Sequence, residues 1–433
     1  MADQNVRYLK QAGPVTRIDR ARIEGVVRNM LSHIEERRDD AVRHYALALD
    51  KWDSGDFRVS HDAIRDVVTR LPETFKEDFA VCMRNVTEFA HLQRQSISEF
   101  ESEISPGTVL GQKLIPVSAA GCYIPGGKYP LISAAIMSIA TAKVAGVSYV
   151  IGCAPPRDTD GIFPATLYAL HAAGADDIFC LGGVQAMASM AYGCVGMRPV
   201  DVITGPGNAY VAEAKRQLFG VVGIDLLAGP TEILIIADES AEPDLVAIDL
   251  IGQAEHGPDS PAWLITTSEA FGRAVLEQID SHLKTLVTRQ MAEPAWRNLG
   301  EIAVVDDDDA AIALSDKYAP EHLELQTRQD DYYLQRLRNY GSLFVGAEST
   351  VAYGDKGVGT NHTLPTGRAA RYTGGLWVGK FIKTVTYQRL TPQASRTLAP
   401  VMARMCEAEG MIAHAATCNA RFDRYAPRTQ PEV

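Results

Sequence analysis

Apolar residues recur at helical spacing through the first quarter of the chain. The clearest run is Ile23, Val26–Val27, Met30–Leu31 and Ile34. Positions three and four apart share one face of a helix, which predicts a helix from Asp19 onward. Asp39–Asp40 suits the cap of a second helix, and Pro72–Glu73 opens a third. Residues 1–110 are therefore predicted to form an N-terminal helical region.

From residue 111 the pattern changes to short apolar runs that alternate with alanine-rich helical segments. Ser133–Ala145 predicts a helix that ends at Gly146, and Val147–Gly152 predicts the strand that follows. The same order recurs at Pro164–Ala173 and Ile178–Leu181. Such alternation indicates parallel strands that are joined by helices and covered on both faces.

A comparable stretch continues to residue 385, with strands expected at Ala262–Thr266 and Ile302–Val305. Ile233–Ile236 is expected to extend the first sheet, and the tail after residue 385 has helical spacing. The predicted fold class is α/β, with two Rossmann-like parallel-sheet domains, an N-terminal helical region and a helical C-terminal tail. The predicted divisions are residues 1–110, 111–235, 236–385 and 386–433.

Three glycine-rich turns follow predicted strands of the first sheet, at residues 121–127, 182–185 and 205–208. Parallel sheets bind ligands beyond the carboxyl ends of their strands, and helix N-termini there favour phosphate. Tight turns between strands and helices are also rich in glycine, and the sequence has neither a strict GxGxxG motif nor a Walker A loop. The turns therefore allow a nucleotide without requiring one.

A further helix is predicted from Ser240, its expected N-cap, to the stop at Gly257–Pro258. Gln253 and His256 are three residues apart on this helix and so project from the same side. An amide oxygen and an imidazole nitrogen aimed together make half of a metal site. The alternative is a helix end whose side chains cap its last carbonyl groups.

Two more clusters carry side chains suited to catalysis or metal binding. Glu321–His322 places a carboxylate beside an imidazole, the group that most often acts as a general base near neutral pH. Asp355 lies in a glycine-rich stretch, predicted to be a loop with little bulk around a metal. Glu409 and His414 lie in the tail, where they are suited to reach a second subunit. The alternatives are a surface pair, an ordinary turn and a solvated helix face.

Charge and cysteine usage narrow the class of protein. The 433 residues carry a net charge of −12 with no basic run, which argues against a nucleic-acid partner but leaves room for a small anionic substrate. Seven cysteines form no CxxC motif and are expected to be reduced, as in the cytoplasm. Residues 1–10 are polar and no apolar run has membrane-spanning length, so neither a signal peptide nor a membrane partner is expected.

Seven motifs occur in order along the chain and together resemble the histidinol dehydrogenase family. They are Gly121–Gly127, Gly205–Asn208, Gly229–Glu232, Gln253–His256, Pro320–His322, Gly359–Thr366 and Glu409–His414. The resemblance runs from about residue 15 to residue 425. It implies an enzyme that depends on zinc and NAD and oxidises a primary alcohol to a carboxylic acid through an aldehyde. It also implies an intertwined homodimer with a shared active site.

Carried over motif by motif, the resemblance implies roles for particular side chains. The zinc ligands would be Gln253, His256, Asp355 and His414 of the partner subunit. The catalytic pair would be Glu321 and His322. The NAD contacts would be Tyr123, Gln185 and Asn208. The substrate contacts would be Ser133, Thr231, His362 and Glu409.

Three departures from the usual family pattern resemble its sulfopropanediol 3-dehydrogenase branch. Threonine stands at position 231 where serine is usual, and Lys356 follows the implied zinc ligand where an aromatic residue is usual. The run Gly367–Trp377 also differs and contains Arg368 and Arg371. A lysine here works against cationic histidinol and suits an anion, so Lys356 and Arg371 are expected to bind a sulfonate. The implied reaction is oxidation of 2,3-dihydroxypropane-1-sulfonate to sulfolactate with two NAD.

Three alternatives stay open on the sequence. They are histidinol dehydrogenase activity with diverged loops, oxidation of another anionic diol or an amino alcohol, and a metal-stabilised structural relative without activity. Loop differences alone are weak grounds for a changed substrate. The complete set of implied ligands and catalytic residues argues against an inactive relative.

Overall fold

The computed structural model describes residues 6–13, 20–126, 129–158 and 160–426. The chain divides into two compact units. The first comprises Met1–Arg94 and Val117–Phe381, and the second comprises Gln95–Pro116 and Ile382–Val433. Both parallel sheets lie in the first unit. The functional divisions at residues 110, 235 and 385 stay predictions.

Helices occupy most of the N-terminal region: α1 (Arg20–Asp50), α2 (His61–Arg70) and α3 (Glu73–Gln95). The predicted start at Asp19 lies outside the described residues. Helix α1 contains the first two predicted helices. They are separated by a kink at Arg38, whose φ of 50° and ψ of −125° are not helical. Ser60 caps α2 by accepting a hydrogen bond from the amide of Ala63.

The predicted N-terminal helical region is confirmed, but it also contains strands that the sequence did not predict. Three strands lie in or across this region: β1 (Arg7–Lys10), β2 (Phe100–Ser105) and β3 (Thr108–Pro116). Every residue of β2 is exposed, and β1 has only four residues. Neither strand has a buried apolar face, so hydrophobic periodicity contains no signal for them.

Five parallel strands form the first sheet: β4 (Ala119–Tyr123), β5 (Tyr149–Ala154), β6 (Asp177–Cys180), β7 (Val202–Thr204) and β8 (Gly223–Ile224). The helical segments are α4 (Ser133–Ala135), a π-helical turn (Ile136–Ala140), α5 (Thr141–Ala145), α6 (Pro164–Ala172), α7 (Gly183–Tyr192) and α8 (Ala209–Leu218). The strand order β6-β5-β4-β7-β8 changes direction between β4 and β7. This is the doubly wound arrangement that the alternating pattern predicted, and such sheets bind ligands at the change of direction.

The second sheet contains β9 (Ile233–Ala237), β10 (Ala262–Thr266), β11 (Gly300–Val304), β12 (His322–Gln326) and β13 (Ser342–Val345). These strands are parallel in the order β11-β10-β9-β12-β13, and β1 adds an antiparallel edge beside β11. The helices are α9 (Pro243–Ala254), α10 (Glu269–Thr285), α11 (Arg289–Leu299), α12 (Asp308–Tyr318), α13 (Asp330–Arg336) and α14 (Val351–Lys356). Short 3₁₀ turns follow at Ala369–Arg371 and Val378–Phe381.

Strand β9 is the centre of the second sheet and not the extension of the first sheet that the sequence suggested. All five of its residues are buried. Ile233, Ile235 and Ala237 pack with α9, α10 and α11, while Leu234 and Ile236 face the opposite core with α12 and α13. Side chains alternate across a strand, so this continuous apolar run is buried on both faces.

Helix α9 begins at Pro243, later than the start predicted near Ser240. Glu242 occupies the N-cap position without a side-chain cap. Ser240 lies in the preceding turn, where its amide and hydroxyl both donate to Asp238. Proline needs no amide partner at the first helical position, which explains why the helix begins there.

In the second unit, β3 lies between β2 and β14 (Ile382–Leu390) in an antiparallel sheet. Helices α15 (Pro392–Ala408) and α16 (Ile412–Arg424) follow. The predicted helical tail therefore holds from Pro392 onward, while residues 386–390 are strand. Across the described ranges, every helix is too short or too polar to cross a membrane.

Candidate active site

Two of the three predicted cofactor contacts meet near the carboxyl end of the first sheet. Tyr123 is the last residue of β4, and its hydroxyl accepts from the amide of Gly183 at 3.3 Å. Gln185 donates to the carboxylate of Asp50 at 2.8 Å. Both Tyr123 and Gln185 are buried, and the Oε1 atom of Gln185 has no hydrogen-bond partner among the described residues. That oxygen is an acceptor that a bound ligand can use.

Asn208, the third predicted cofactor contact, is exposed at the N-terminus of α8. Its Oδ1 atom accepts from the amides of Tyr210 and Val211 and so caps the helix. The turn before it requires glycine, because Gly205 has a φ of +115° and a Cβ atom there would lie 2.0 Å from the carbonyl oxygen of Tyr123. The turn is therefore packed directly against the end of β4.

The two partners of a buried ion pair bind the carbonyl and the amide of Gly205. Lys215 contacts Asp225, and their side chains are 3% and 0% exposed. The carbonyl oxygen of Gly205 accepts from Lys215 Nζ at 2.9 Å, and its amide donates to Asp225 at 2.8 Å. Each buried charge thus has an opposite charge and a backbone partner. We call Lys215 and Asp225 the loop clamp, since they tie the turn that leads to Asn208 to the sheet.

The candidate catalytic residues gather at the amino ends of the second sheet, opposite to the edge that the general rule for parallel sheets indicates. Thr231 lies two residues before β9, and Glu321 and His322 lie at the start of β12, which pairs with β9. Gln253 is in the last turn of α9, and His256 follows directly after that helix. The starts of two neighbouring strands and the end of one helix therefore supply the site.

Thr231 links an implied zinc ligand to an implied catalytic carboxylate. The Nε2 atom of Gln253 donates to the Thr231 hydroxyl at 2.6 Å, and this hydroxyl donates to Oε2 of Glu321 at 2.6 Å. The amide of Glu232 donates to the same oxygen at 3.0 Å. Burial raises the pKa of Glu321 above its usual value, although His322 and these donors oppose that effect.

The two ring nitrogens of the buried His322 have different environments. Nδ1 lies 3.0 Å from the carbonyl oxygen of Glu232 and therefore carries the proton that it donates there. Nε2 has no hydrogen-bond partner among the described residues and lies 3.7 Å from Oδ1 of Asp355. Burial lowers the pKa of the imidazole, but the carboxylates of Glu321 and Asp355 outweigh burial and raise the pKa to about 9. A cation bound at Asp355 would offset that negative charge and favour the neutral ring.

Asp355 lies on α14 and not on the predicted loop, because Val351–Lys356 forms a six-residue helix too short to show a helical period. Its Oδ2 atom lies 4.0 Å from Nε2 of His256. Burial opposes the charge of Asp355, but His322 and His362 hold its pKa well below the usual range. Burial lowers the pKa of both His256 and His362, so these imidazoles favour the neutral form that binds metals.

These side chains fit a zinc site that the first unit leaves incomplete. Zinc binds imidazole nitrogen and carboxylate oxygen at about 2.0–2.2 Å, so two such atoms on one ion lie within about 4.4 Å of each other. The 4.0 Å between His256 and Asp355 meets that limit. Within the described ranges, no group of three His, Cys, Asp or Glu side chains is arranged to hold a metal. Gln253 would add an amide, and a fourth ligand is still needed.

The loop that follows α14 carries further implied substrate contacts. His362 Nδ1 lies 2.8 Å from the carbonyl oxygen of Asp355, which ties the histidine to the helix. Asn361 donates to the carbonyl oxygen of Met137 at 2.8 Å, within the helical stretch that begins at the buried Ser133. The implied substrate residues His362 and Ser133 are thus connected through Asn361 and one helical turn.

Glu232 ties the arginine-bearing loop to the same site. Its Oε1 atom accepts from the amide of Gly367 at 3.1 Å, and the exposed Arg368 and Arg371 follow. Burial, with repulsion from Glu321, raises the pKa of Glu232 to about 8. Cationic side chains are therefore present on a loop anchored beside Thr231.

Glu409 and His414 lie in the second unit. Glu409 follows α15 as its C-cap residue, and His414 is on α16. Both are exposed, so each is accessible to another molecule. Their roles as a substrate contact and a zinc ligand remain proposals.

Sequence reasoning missed the buried and half-buried charged residues that support the site. These are Lys215, Asp225, Asp249 and Glu324. Two of them carry a positional signal in the sequence. Asp249 precedes Gln253 by four residues and so lies one helical turn away on the same face. Glu324 follows His322 by two residues and so shares its face of β12.

Two doubly wound parallel sheets, one of which carries a polar acid–base cluster at its amino edge, define an α/β protein with an enzyme-like site. Residues 15–422 match the family model described as histidinol dehydrogenase, and the chain belongs to that family. The sequence resemblance to this family is thereby confirmed.

Three relatives illustrate the similarity. A histidinol dehydrogenase homolog of Shouchella clausii is 50% identical over 97% of this chain and 99% of its own length. A sulfopropanediol 3-dehydrogenase of Ruegeria pomeroyi is 46% identical over 98% of this chain and 97% of its own length. The crystal structure of histidinol dehydrogenase from Elizabethkingia anophelis is 34% identical with a TM-score of 0.90, covering 95% of this chain and 94% of that one.

Proposed function

We propose that this dehydrogenase oxidises the primary alcohol of 2,3-dihydroxypropane-1-sulfonate to sulfolactate, with zinc and NAD as cofactors. The proposal includes a cytoplasmic homodimer in which the two subunits share each active site. The observation that carries the choice of substrate is the unpaired positive charge of Lys356 next to Asp355. The 46% identity to the sulfopropanediol 3-dehydrogenase of Ruegeria pomeroyi supports the same choice.

Lys356 is exposed at the end of α14, and its ammonium group has neither an ion pair nor a hydrogen bond within the described part of the chain. Burial lowers the pKa of His256 and His362, and the nearby charge of Lys356 adds to that effect. An unpaired cation at this place attracts a sulfonate and repels the ammonium of histidinol. An anionic substrate therefore fits the site better than a cationic one.

The proposed reaction consists of two oxidations at one carbon. In the first, the alcohol loses its proton to Nε2 of His322 and a hydride to NAD, which gives an aldehyde and NADH. In the second, Glu321 takes a proton from the water that adds to the aldehyde, and the hydrate loses a hydride to a second NAD and a proton to solvent. Zinc, when bound, supplies a Lewis acid that lowers the pKa of a neighbouring hydroxyl group.

Two features support the assembly and its compartment. The second unit exposes apolar side chains on α15 and α16, among them Val401, Met402, Met405 and Ile412. An exposed apolar patch of this kind is typical of a surface that packs against another chain. All seven cysteines are free, as expected of a protein in a reducing compartment.

The purified zinc-loaded protein should be supplied with NAD and either 2,3-dihydroxypropane-1-sulfonate or histidinol, and NADH followed by absorbance. We expect two NADH per sulfonate consumed and little turnover of histidinol. Efficient turnover of histidinol with the sulfonate ignored would overturn the substrate proposal in favour of histidinol dehydrogenase. Turnover of a different anionic diol alone would also overturn it, and no turnover of any of these would indicate an inactive relative.

A further inference from the structure

Two carboxyl groups meet behind the candidate active site. Glu324 is on β12, two residues after His322, and is fully buried. Asp249 is on α9, four residues before Gln253. Burial, together with the charge of the neighbouring Asp249, raises the pKa of Glu324 well above its usual value. The two carboxyl groups connect the strand that carries the candidate base to the helix that carries a candidate zinc ligand.

Both carboxyl groups also hold the start of α14. The hydroxyl of Thr350 donates to Oδ1 of Asp249 at 3.0 Å. The amide of Val351, the first residue of α14, donates to Oε1 of Glu324 at 3.0 Å. A six-residue helix has little stability of its own, so these contacts determine where the helix begins. Asp355 is the fifth residue of that helix.

The donors around the pair locate its proton. Asp249 accepts from Thr350 at Oδ1 and from Gln326 at Oδ2, 3.3 Å away. Oε1 of Glu324 accepts from Val351, whereas no donor among the described residues reaches its buried Oε2 atom. Two carboxyl oxygens form a hydrogen bond only when one of them carries a proton. Oε2 of Glu324 is therefore the carboxyl oxygen of the pair that is free to hold a proton, which burial and the charge of Asp249 both favour.

We propose that Asp249 and Glu324 form a carboxyl pair that shares one proton and positions α14, and through it Asp355, for metal binding. This inference rests on the proposed zinc-dependent function. The pair joins the three elements that end in the site, since α9 leads to Gln253 and His256, β12 begins with His322, and α14 carries Asp355. Groups that orient metal ligands in this way typically change metal affinity by about 10–100-fold when they are removed.

The test compares the zinc affinity of the metal-free full-length variants by competition with a chromogenic chelator. Glu324→Leu keeps the bulk but loses the acceptor for Val351 and the shared proton, so we expect its zinc affinity to fall about 10–100-fold. Glu324→Gln keeps an acceptor for Val351 and a donor for Asp249, and we expect its affinity to stay within about threefold of wild type. Asp249→Asn loses an acceptor and gains a donor, so we expect a fall like that of Glu324→Leu.

Glu301→Leu is the matched control. Glu301 is a buried glutamate on β11 of the same sheet, and it accepts from the Tyr318 hydroxyl and the Ala12 amide. We expect this variant to lose thermal stability but to keep its zinc affinity and its KM for NAD.

Three results would overturn the inference. One is wild-type zinc affinity in folded Glu324→Leu. Another is equal loss in Glu324→Gln and Asp249→Asn, a comparison that remains available if the leucine variant does not fold. The third is equal loss in the Glu301→Leu control. Failure of the wild-type protein itself to bind zinc would instead count against the proposed function.

Discussion

The hydroxyl of Thr231 donates a hydrogen bond to the carboxylate of Glu321 across 2.6 Å. The hydroxyl oxygen of Thr231 also accepts a hydrogen bond from Nε2 of Gln253 at 2.6 Å. One hydroxyl therefore fixes the side-chain orientation of an implied metal ligand and of an implied catalytic residue. Serine is able to make both bonds, whereas valine has nearly the same shape as threonine and makes neither.

Replacement of this hydroxyl tests its importance for catalysis. We expect Thr231→Val to lower kcat about 5-fold to 150-fold, since leaving buried polar partners unsatisfied costs about 1–3 kcal/mol. Thr231→Ser is the control and should keep kcat within about threefold of wild type, because it retains the donor and the acceptor. Steady-state kinetics with the preferred substrate measure both values. A valine variant with wild-type kcat would show that the link has no catalytic role.

Removal of the Lys356 charge tests the choice of substrate. A charge-assisted contact to an anion contributes about 1.5–3 kcal/mol, so we expect Lys356→Ala to raise KM for the sulfonate about tenfold or more. KM for NAD should stay unchanged. Lys284→Ala, at an exposed position on α10, is the matched control and should match wild type. An unaltered KM for the sulfonate in the Lys356 variant would mean that this lysine does not contact the substrate.

A shared metal site makes a prediction about mixed subunits. We expect His256→Ala, Asp355→Ala and His414→Ala each to lose zinc and nearly all activity, as measured by metal analysis and NADH production. Heterodimers of the His256→Ala and His414→Ala chains should regain part of the activity, because one of their two hybrid sites keeps every ligand. Verified heterodimers without activity would contradict a site shared between subunits.

The loop clamp makes a prediction about the cofactor. Lys215→Met leaves Asp225 unpaired and removes the donor to Gly205, so we expect KM for NAD to rise about tenfold while KM for the sulfonate changes little. The double variant Lys215→Met, Asp225→Leu should recover thermal stability without recovering KM for NAD. Lys143→Met is the control, since Lys143 pairs with Asp176 at a more exposed position of the same sheet region. Recovery of KM for NAD in the double variant would show that the clamp does not position the turn.

Glu232 makes stability depend on pH. Its pKa of about 8 in the folded protein lies above the usual value of 4.5. The stabilisation from holding this proton is therefore complete below pH 4.5 and is lost as the pH rises through 8. Glu232→Gln keeps an acceptor for Gly367 and has no such charge. We expect its free energy of unfolding to gain about 1–3 kcal/mol on wild type between pH 5 and pH 8, measured by urea unfolding. Parallel pH profiles would contradict this assignment.

The fold was largely predictable because buried parallel strands are continuous apolar runs. Ile233–Ala237 has this pattern, and the structure confirms it as a strand. The sheet to which it belongs was not predictable, because periodicity describes the two faces of a strand and not its neighbours. Helix α14 was missed for a different reason, since six residues with one glycine among them are too few to show a helical period.

Part of the candidate site was predictable from motif order. Thr231, Gln253 and Glu321 were implied by three separate motifs, and hydrogen bonds connect them. Their position at the amino edge of the sheet was not predictable, because it depends on how α9 packs so that its last turn lies beside the starts of β9 and β12. The hydrogen bond that the Val351 amide donates to Glu324 was not predictable either, since it joins residues 27 positions apart.

The position of His322 on a central strand has a consequence for the thermal inactivation of the enzyme. Its backbone is paired with β9 on one side and β13 on the other, and its amide donates to the carbonyl oxygen of Glu232. Functional groups on loops usually open at a lower free energy than the domain core. Here the imidazole belongs to the core, so amide hydrogen exchange around it requires the sheet to separate. Loss of activity on heating should therefore coincide with global unfolding and not precede it.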